Sequence, residues 1–228
     1  MVTPSPSATR VLILEDHILF AESLDLALTM DGYDVQLLSA AEREAPQGAV
    51  LSTIARLRPR IVILDLDLGT LGDGVRFIAP LERLGALVVV VTASADEGRW
   101  GECLVHGART VLSKARPLSE IRATVRHLTQ GRPVLDRQEH GRLVATWHNQ
   151  RQTHADLFVR LERLSRRERQ VLGHLMAGDA VREISRLGVV SEATVRTQVK
   201  SILSKLEVSS QLAAVGLAHK VGWRPPCA

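Results

Sequence analysis

At 228 residues the chain is long enough for two domains of ordinary size. Hydrophobic residues make up 45% of it, yet none of the apolar runs approaches the roughly 18 residues of a membrane-spanning helix, so a soluble protein with no membrane partner is expected. Charge is divided unevenly: residues 1–130 carry 13 Lys and Arg against 16 Asp and Glu, and residues 131–228 carry 16 against 9, so the second half is suited to a polyanion.

Met1 to Thr9 is rich in Pro, Ser and Thr, lacks the apolar segment of a secretory signal, and reads as a short disordered leader. Residues 10–14, 61–64 and 87–91 are short β-branched runs that read as buried parallel strands, and further strands around 33–38 and 110–112 bring the count to five. Apolar residues recur at helical intervals over Leu19–Met30, Leu51–Leu57 and Val75–Leu84, and a further helix is expected around Leu118–Leu128. The alternation predicts an α/β fold, a doubly wound five-stranded parallel sheet over residues 10–130. Gly131-Arg132-Pro133 punctuates its end, and residues 131–159, rich in Arg, His and Gln, read as a linker. A linker helix capped by Asp136 is expected to pack loosely, with His140, His148 and His154 solvated. Residues 160–224 read as an all-α domain. Ser165 and Glu168 form a capping box for a helix reaching about Ala177 and closed by Gly178. A short helix over Val181–Leu187 ends at Gly188, and Ser191 caps a third, in which Val195, Val199, Ile202 and Leu206 recur at helical spacing.

In doubly wound sheets ligands bind outside the carboxyl ends of the strands. Glu15 and Asp16 follow the first strand, Asp65 ends the third, Thr92 the fourth, and Lys114 follows the fifth. Clustered carboxylates repel until a hard cation joins them, and Mg²⁺ is the cation that such oxygens favour. The set fits phosphoryl transfer, with Asp65 as nucleophile, Lys114 pairing a phosphate oxygen and Thr92 hydrogen-bonding the new phosphoryl group. Neither GxGxxG nor GxxxxGK[ST] follows a strand, which argues against a dehydrogenase or an ATPase. Cys103 and Cys227 form no CxxC or Cys/His cluster and read as reduced thiols in a cytoplasmic protein.

Opposite its apolar stripe the third helix of the second domain carries Arg196, Gln198, Lys200, Ser201, Ser204 and Lys205, donors suited to phosphates and base edges. It reads as a recognition helix for the major groove of double-stranded DNA. Gln198 is placed to meet a base, whereas Arg196, Lys200 and Lys205 serve equally well as phosphate contacts.

Glu15-Asp16-His17, Asp65-Leu66-Asp67-Leu68, Thr92-Ala93 and Lys114 followed by Pro117 resemble the flavodoxin-like receiver domain of response regulators. The resemblance implies Mg²⁺ held by Asp16, Asp65 and the backbone carbonyl of Asp67, Glu15 helping through water, and phosphate accepted by Asp65 from a sensor histidine kinase. The loop departs from the family pattern: Gly69 stands where Pro is usual, Asp73-Gly74 comes one residue late, and Val111 replaces a common aromatic. Leu164 to Glu168, Val171-Leu172, Glu183-Ile184, Ser191 to Arg196 (including Thr194), Ile202, Lys205-Leu206 and Val208 resemble the LuxR-type helix-turn-helix of NarL/FixJ regulators. That resemblance implies a dimer contact on the last helix, Gln211–Val221, through Leu212, Val215 and His219, and hence a homodimer on DNA. Gly188 stands where Leu is usual, an expected loosening, and Gln198 where His is common.

The combined expectation is a two-component regulator, not an enzyme, whose DNA binding responds to phosphorylation of Asp65. Two other readings stay open: a phosphorylation-independent DNA-binding regulator with a receiver-like dimerisation or sensing domain, and a phosphotransferase or hydrolase using Asp65, which leaves residues 160–224 unexplained.

Overall fold

The computed structural model describes residues 9–38, 42 and 45–225. Most of the expected leader, together with Cys227, lies outside them. The chain divides into two compact units, Met1–His148 and Asn149–Ala228. Among the described residues no helix is long and apolar enough to cross a membrane.

The first unit is built on five parallel strands, β1 (Arg10–Leu14), β2 (Asp34–Leu37), β3 (Ile61–Leu64), β4 (Leu87–Thr92) and β5 (Thr110–Ser113), in the order β2-β1-β3-β4-β5. Alternation along the buried strands sends side chains to two cores. Leu12, Leu14, Val62, Leu64, Val88 and Val90 meet helices α2 (Gln47–Leu57), α3 (Val75–Arg83) and α4 (Glu97–Val105) through Val50, Ile54, Phe77, Ile78, Leu81 and Leu104. Val11, Ile13, Ile61, Ile63, Val89 and Val91 meet α1 (Ile18–Met30) and α5 (Leu118–Thr129) through Leu24, Leu28, Ile121 and Val125. Burial on both faces explains why these strands are continuous apolar runs and not alternating ones.

Helix α4 has no counterpart among the expected elements. Gly98 and Gly101 weaken its helical signal, but Asp96 caps it, accepting from the Gly98 and Arg99 amides at 2.9 and 3.4 Å. Gly101 is where a helix further along the chain crosses, since a Cβ there would lie 2.1 Å from the Leu143 carbonyl oxygen and 2.8 Å from Trp147 Cβ. That helix, α6 (Arg137–Glu162), begins behind Asp136, whose Oδ2 accepts from the Gln138 and Glu139 amides at 2.8 and 3.4 Å. Its first part is not loosely packed. Leu143 is 3% exposed within the core of the first unit, and Arg142 bonds both oxygens of Glu97 at 2.7 and 2.8 Å.

In the second unit α7 (Arg166–Met176), α8 (Val181–Leu187), α9 (Glu192–Leu206) and α10 (Gln211–Lys220) enclose one core of Leu161, Leu164, Val171, Leu172, Ile184, Val195, Val199, Ile202 and Leu206 with Ala214 and Ala218. The Ser165 and Glu168 capping box closes in both directions, at 3.3 and 2.6 Å. The expected loosening at Gly188 does not occur. The Arg167 guanidinium fills the space a side chain would take, a Cβ at Gly188 lying 2.1 Å from its Nη2, and donates to the Gly188 carbonyl at 3.0 Å.

Candidate functional site

The carboxyl edge of the sheet gathers residues that are far apart in sequence. Backbone pairing continues one residue past the strands: the Asp65 amide donates to the Leu14 carbonyl at 2.9 Å and the Lys114 amide to the Thr92 carbonyl at 2.8 Å. Each side chain is thereby held at a fixed height beside its neighbour. Glu15, Asp65 and Thr92 are buried, and Lys114 reaches in to donate to Asp65 Oδ2 at 2.6 Å and to Glu15 Oε1 at 2.8 Å. Its Nζ lies 5.1 Å from the centre of the Phe20 ring. Burial pushes the Glu15 carboxyl above its ordinary value, and the Lys114 ammonium offsets this only in part. Burial opposes the charge on Lys114 as well, but its bonds with Asp65 and Glu15 outweigh that and hold its pKa above the usual lysine value.

Asp16 stands beside this cluster in a different condition. Its Oδ1 is buried and accepts no hydrogen bond among the described residues, and His17 Nδ1 stands 3.5 Å away. Glu15, Asp16 and His17 offer ligand atoms within 4.8 Å of one another. A buried anionic oxygen without a donor is costly, and a bound cation relieves that cost.

The loop after Asp65 accommodates its extra residue in a 3-10 turn over Gly69–Leu71. Gly69 has φ +56°, a value closed to Pro, and a Cβ there would stand 3.4 Å from Asp16 Oδ2. The turn is closed by Leu68 N to Gly72 O at 3.1 Å and Gly74 N to Leu66 O at 2.9 Å, and both bonds bypass the Asp67 carbonyl. Gly74 then lies on the Asp65 backbone, where a Cβ would come within 2.0 Å of the Asp65 oxygen. Glycine at position 74 is thus a packing requirement.

Val111 is buried in the core, with no ring to move between inside and outside. An aromatic that the sequence reading missed is linked to Thr92 instead. Thr92 Oγ1 accepts from the Ser94 amide at 3.1 Å, and the Ser94 carbonyl accepts from Trp100 Nε1 at 2.9 Å. Trp100 lies on α4 beside Gly101, so a short chain of contacts runs from Thr92 to α6. A Trp four residues after the loop acid Asp96 was its only signal in the sequence.

In α9, Thr194, Arg196 and Lys200 are exposed, together with Thr197 and Ser204. Ser201 and Lys205 turn toward α7, where the buried Glu168 accepts from Ser201 Oγ at 2.7 Å and from Lys205 Nζ at 2.9 and 2.7 Å. Burial would raise the Glu168 carboxyl, but the bonds from Lys205, Ser201 and Ser165 prevail and hold it at about 2. Gln198 is half-buried and its Oε1 has no partner among the described residues. On α10, Leu212 and His219 are exposed and Val215 is half-buried, while Ala214 and Ala218 face the core.

A parallel sheet in this order with a buried acid and lysine cluster at its carboxyl edge, followed by a helix-turn-helix unit, defines a two-domain class of switch protein. Residues 11–126 match the family described as response regulator receiver domain, and residues 162–218 the one described as bacterial regulatory proteins, luxR family. Over 222 residues the chain is 29% identical to the "Probable transcriptional regulatory protein NarL" of Mycobacterium tuberculosis (strain CDC 1551 / Oshkosh), covering 96% of this chain and 98% of that one. It is 25% identical to the "Transcriptional regulatory protein LiaR" of Bacillus subtilis (strain 168), covering 92% of this chain and 97% of that one, and 29% identical to a "Putative transcriptional regulator" of Pseudomonas aeruginosa, covering 93% and 98%. Among solved structures, full-length FixJ from B. japonicum is 22% identical with a TM-score of 0.46, covering 94% of this chain and 98% of that one. The chain belongs to the response regulator family, with a receiver domain followed by a LuxR-type DNA-binding domain in the NarL/FixJ arrangement, a class of transcription regulators and not of enzymes.

Proposed function

We propose that Asp65 accepts a phosphoryl group from a sensor histidine kinase in the cytoplasm, and that this controls dimeric binding of the second unit to DNA. The arrangement that carries the reading is the buried Asp65 held by Lys114 beside an Asp16 oxygen that accepts no hydrogen bond among the described residues. Asp16 and Glu15 offer ligand oxygens within 4.8 Å of one another, and with Asp65 and the bypassed carbonyl of Asp67 they would hold Mg²⁺, Glu15 assisting through water. When bound there, Mg²⁺ would neutralise charge on the phosphoryl group in transfer. An Asp65 carboxylate oxygen attacks phosphorus as the bond to the kinase's histidine nitrogen breaks, giving an acyl phosphate on Asp65. Lys114 exchanges its bond to Asp65 for one to a phosphoryl oxygen, and Thr92 turns its hydroxyl from the Ser94 amide to donate to another. The change reaches α6 through Ser94, Trp100 and Gly101. On DNA, Thr194, Arg196 and Lys200 make the outward contacts, Gln198 stands at the edge of that face, and Ser201 and Lys205 hold the helix in place through Glu168. Leu212, Val215 and His219 supply the dimer contact.

Intact-protein mass spectrometry after exposure to acetyl phosphate with Mg²⁺, followed by DNA titration of the same samples, tests the reading. One phosphate adduct is expected on the native chain and none on Asp65→Ala, with tighter DNA binding only in the phosphorylated sample. Equal DNA binding by the two would overturn the switch and favour the phosphorylation-independent regulator, the reading to which Val111 lends support.

A further inference from the structure

At the opposite end of the sheet, where the strands begin, a cleft of about 570 Å³ is bounded by Leu87 at the start of β4, Arg109 just before β5, Leu128 on α5, the turn Gly131 to Leu135, and Arg137 and His140 on the first turns of α6. It lies wholly within the first unit. Along β4 it is roughly 16 Å from the level of Thr92, too far for a molecule there to touch the acid cluster. The volume falls within the range of small-ligand sites, about 300–1,000 Å³.

The lining has two halves. Leu87, Leu128, Pro133, Val134 and Leu135 supply apolar lining and Arg109, Arg132, Arg137 and His140 supply nitrogen donors, and no carboxylate among the described residues lines the cleft. None of these three arginines makes an ion pair or side-chain hydrogen bond among the described residues, a condition they share in this unit with Arg58, Arg60, Arg76 and Arg126, whereas Arg10, Arg99, Arg116, Arg122 and Arg142 are paired. The nearby Asp136 is committed to capping α6. In a unit with a net acidic sequence, this is a local concentration of uncompensated cations. Planar guanidinium forks match phosphate oxygens two at a time, and an apolar wall suits the body of a molecule that carries phosphate at one end.

We propose that this cleft binds a phosphorylated small molecule with an apolar or aromatic body, of which a nucleoside diphosphate is representative. Phosphate oxygens pair with Arg109, Arg132 and Arg137, and the body lies on Leu87, Leu128 and Val134. Because the lining joins the β4 and β5 strand starts to α5, the turn and α6, an occupant ties the base of α6 to the sheet, an input separate from phosphorylation.

The test is isothermal titration of the full chain with ADP, adenosine and pyrophosphate, in EDTA so that no metal draws phosphate to the acid cluster. ADP is expected to bind at one site per chain, equally in Asp65→Asn. The double variant Arg109→Ala/Arg132→Ala should weaken it about a hundredfold, and the control Arg83→Ala should not. Adenosine and pyrophosphate should each bind at least tenfold more weakly than ADP. Pyrophosphate binding as tightly as ADP would reduce the cleft to a charged surface. ADP binding unchanged in the double variant, or no binding to the native chain, would overturn the proposal.

Discussion

Gly101→Ala is a sensitive probe of how the first unit holds α6. Alanine is intrinsically better than glycine within a helix by about 1 kcal/mol, so α4 considered alone should gain from the change. The new Cβ would instead lie 2.1 Å from the Leu143 carbonyl oxygen, 2.8 Å from its carbonyl carbon and 2.8 Å from Trp147 Cβ. Carbon contacts relax near 3.5 Å, so α6 must retreat by about 1 Å or more, and its backbone cannot do this as a flexible side chain would. Overpacking of this kind costs about 1–3 kcal/mol, and complete undocking, which exposes Leu143, costs about the same. The exposed pairs of Arg142 with Glu97 and Glu139 add little to either. A net loss of about 1–2 kcal/mol is expected in urea unfolding of the full chain, with faster hydrogen exchange confined to the amides of about 140–148 and the facing turn of α4. Gly141→Ala provides the contrast: it lies within α6 with nothing inside 4 Å of the added carbon, and should stabilise by up to about 1 kcal/mol. If Gly101→Ala stabilised the protein to the same degree without altering exchange over α6, the contact would not be as described.

Other outcomes follow from the same geometry. The Glu168 carboxyl sits at about 2 against an ordinary 4.5, so its stabilisation is fully present above about pH 4.5 and is lost as the pH falls toward 2. It amounts to about 2 kcal/mol after allowance for the part-exposed Lys205, and urea midpoints at pH 7 and pH 3 should differ less in Glu168→Gln than in the native chain. Lys114→Met leaves the buried Glu15 and Asp65 without their cation and should cost about 3 kcal/mol in EDTA, a loss that millimolar Mg²⁺ partly restores in thermal melts. In Trp100→Phe the Asp65 adduct should form at the native rate, while the gain in DNA affinity on phosphorylation, followed by fluorescence anisotropy, shrinks several-fold. Arg196→Ala and Lys200→Ala should each lower the slope of log affinity against log salt by about 1, whereas Lys205→Ala should chiefly lower thermal stability.

Much of this was legible in the sequence, because parallel strands linked by helices place their carboxyl ends along one edge. Five short apolar runs are therefore enough to place Glu15, Asp16, Asp65, Thr92 and Lys114 along that edge. The Ser165 and Glu168 capping box and the stripe of Val195, Val199, Ile202 and Leu206 did the same for the second unit, since both are local signals at fixed spacing. Tertiary structure decided what depends on partners distant in the chain. Helix α4 was invisible because Gly101 within it answers to Leu143, some forty residues later, and not to helix propensity. Ser201 and Lys205 looked like DNA donors because nothing local shows that Glu168 of another helix accepts from both. Gly188 looked like a defect until the Arg167 guanidinium was found in its space, and the arginines around the cleft, scattered from 109 to 137, converge only when the strand starts, a turn and a helix are brought together. Periodicity and capping are encoded within a few residues, whereas the partner that satisfies or repels a side chain is chosen by the fold.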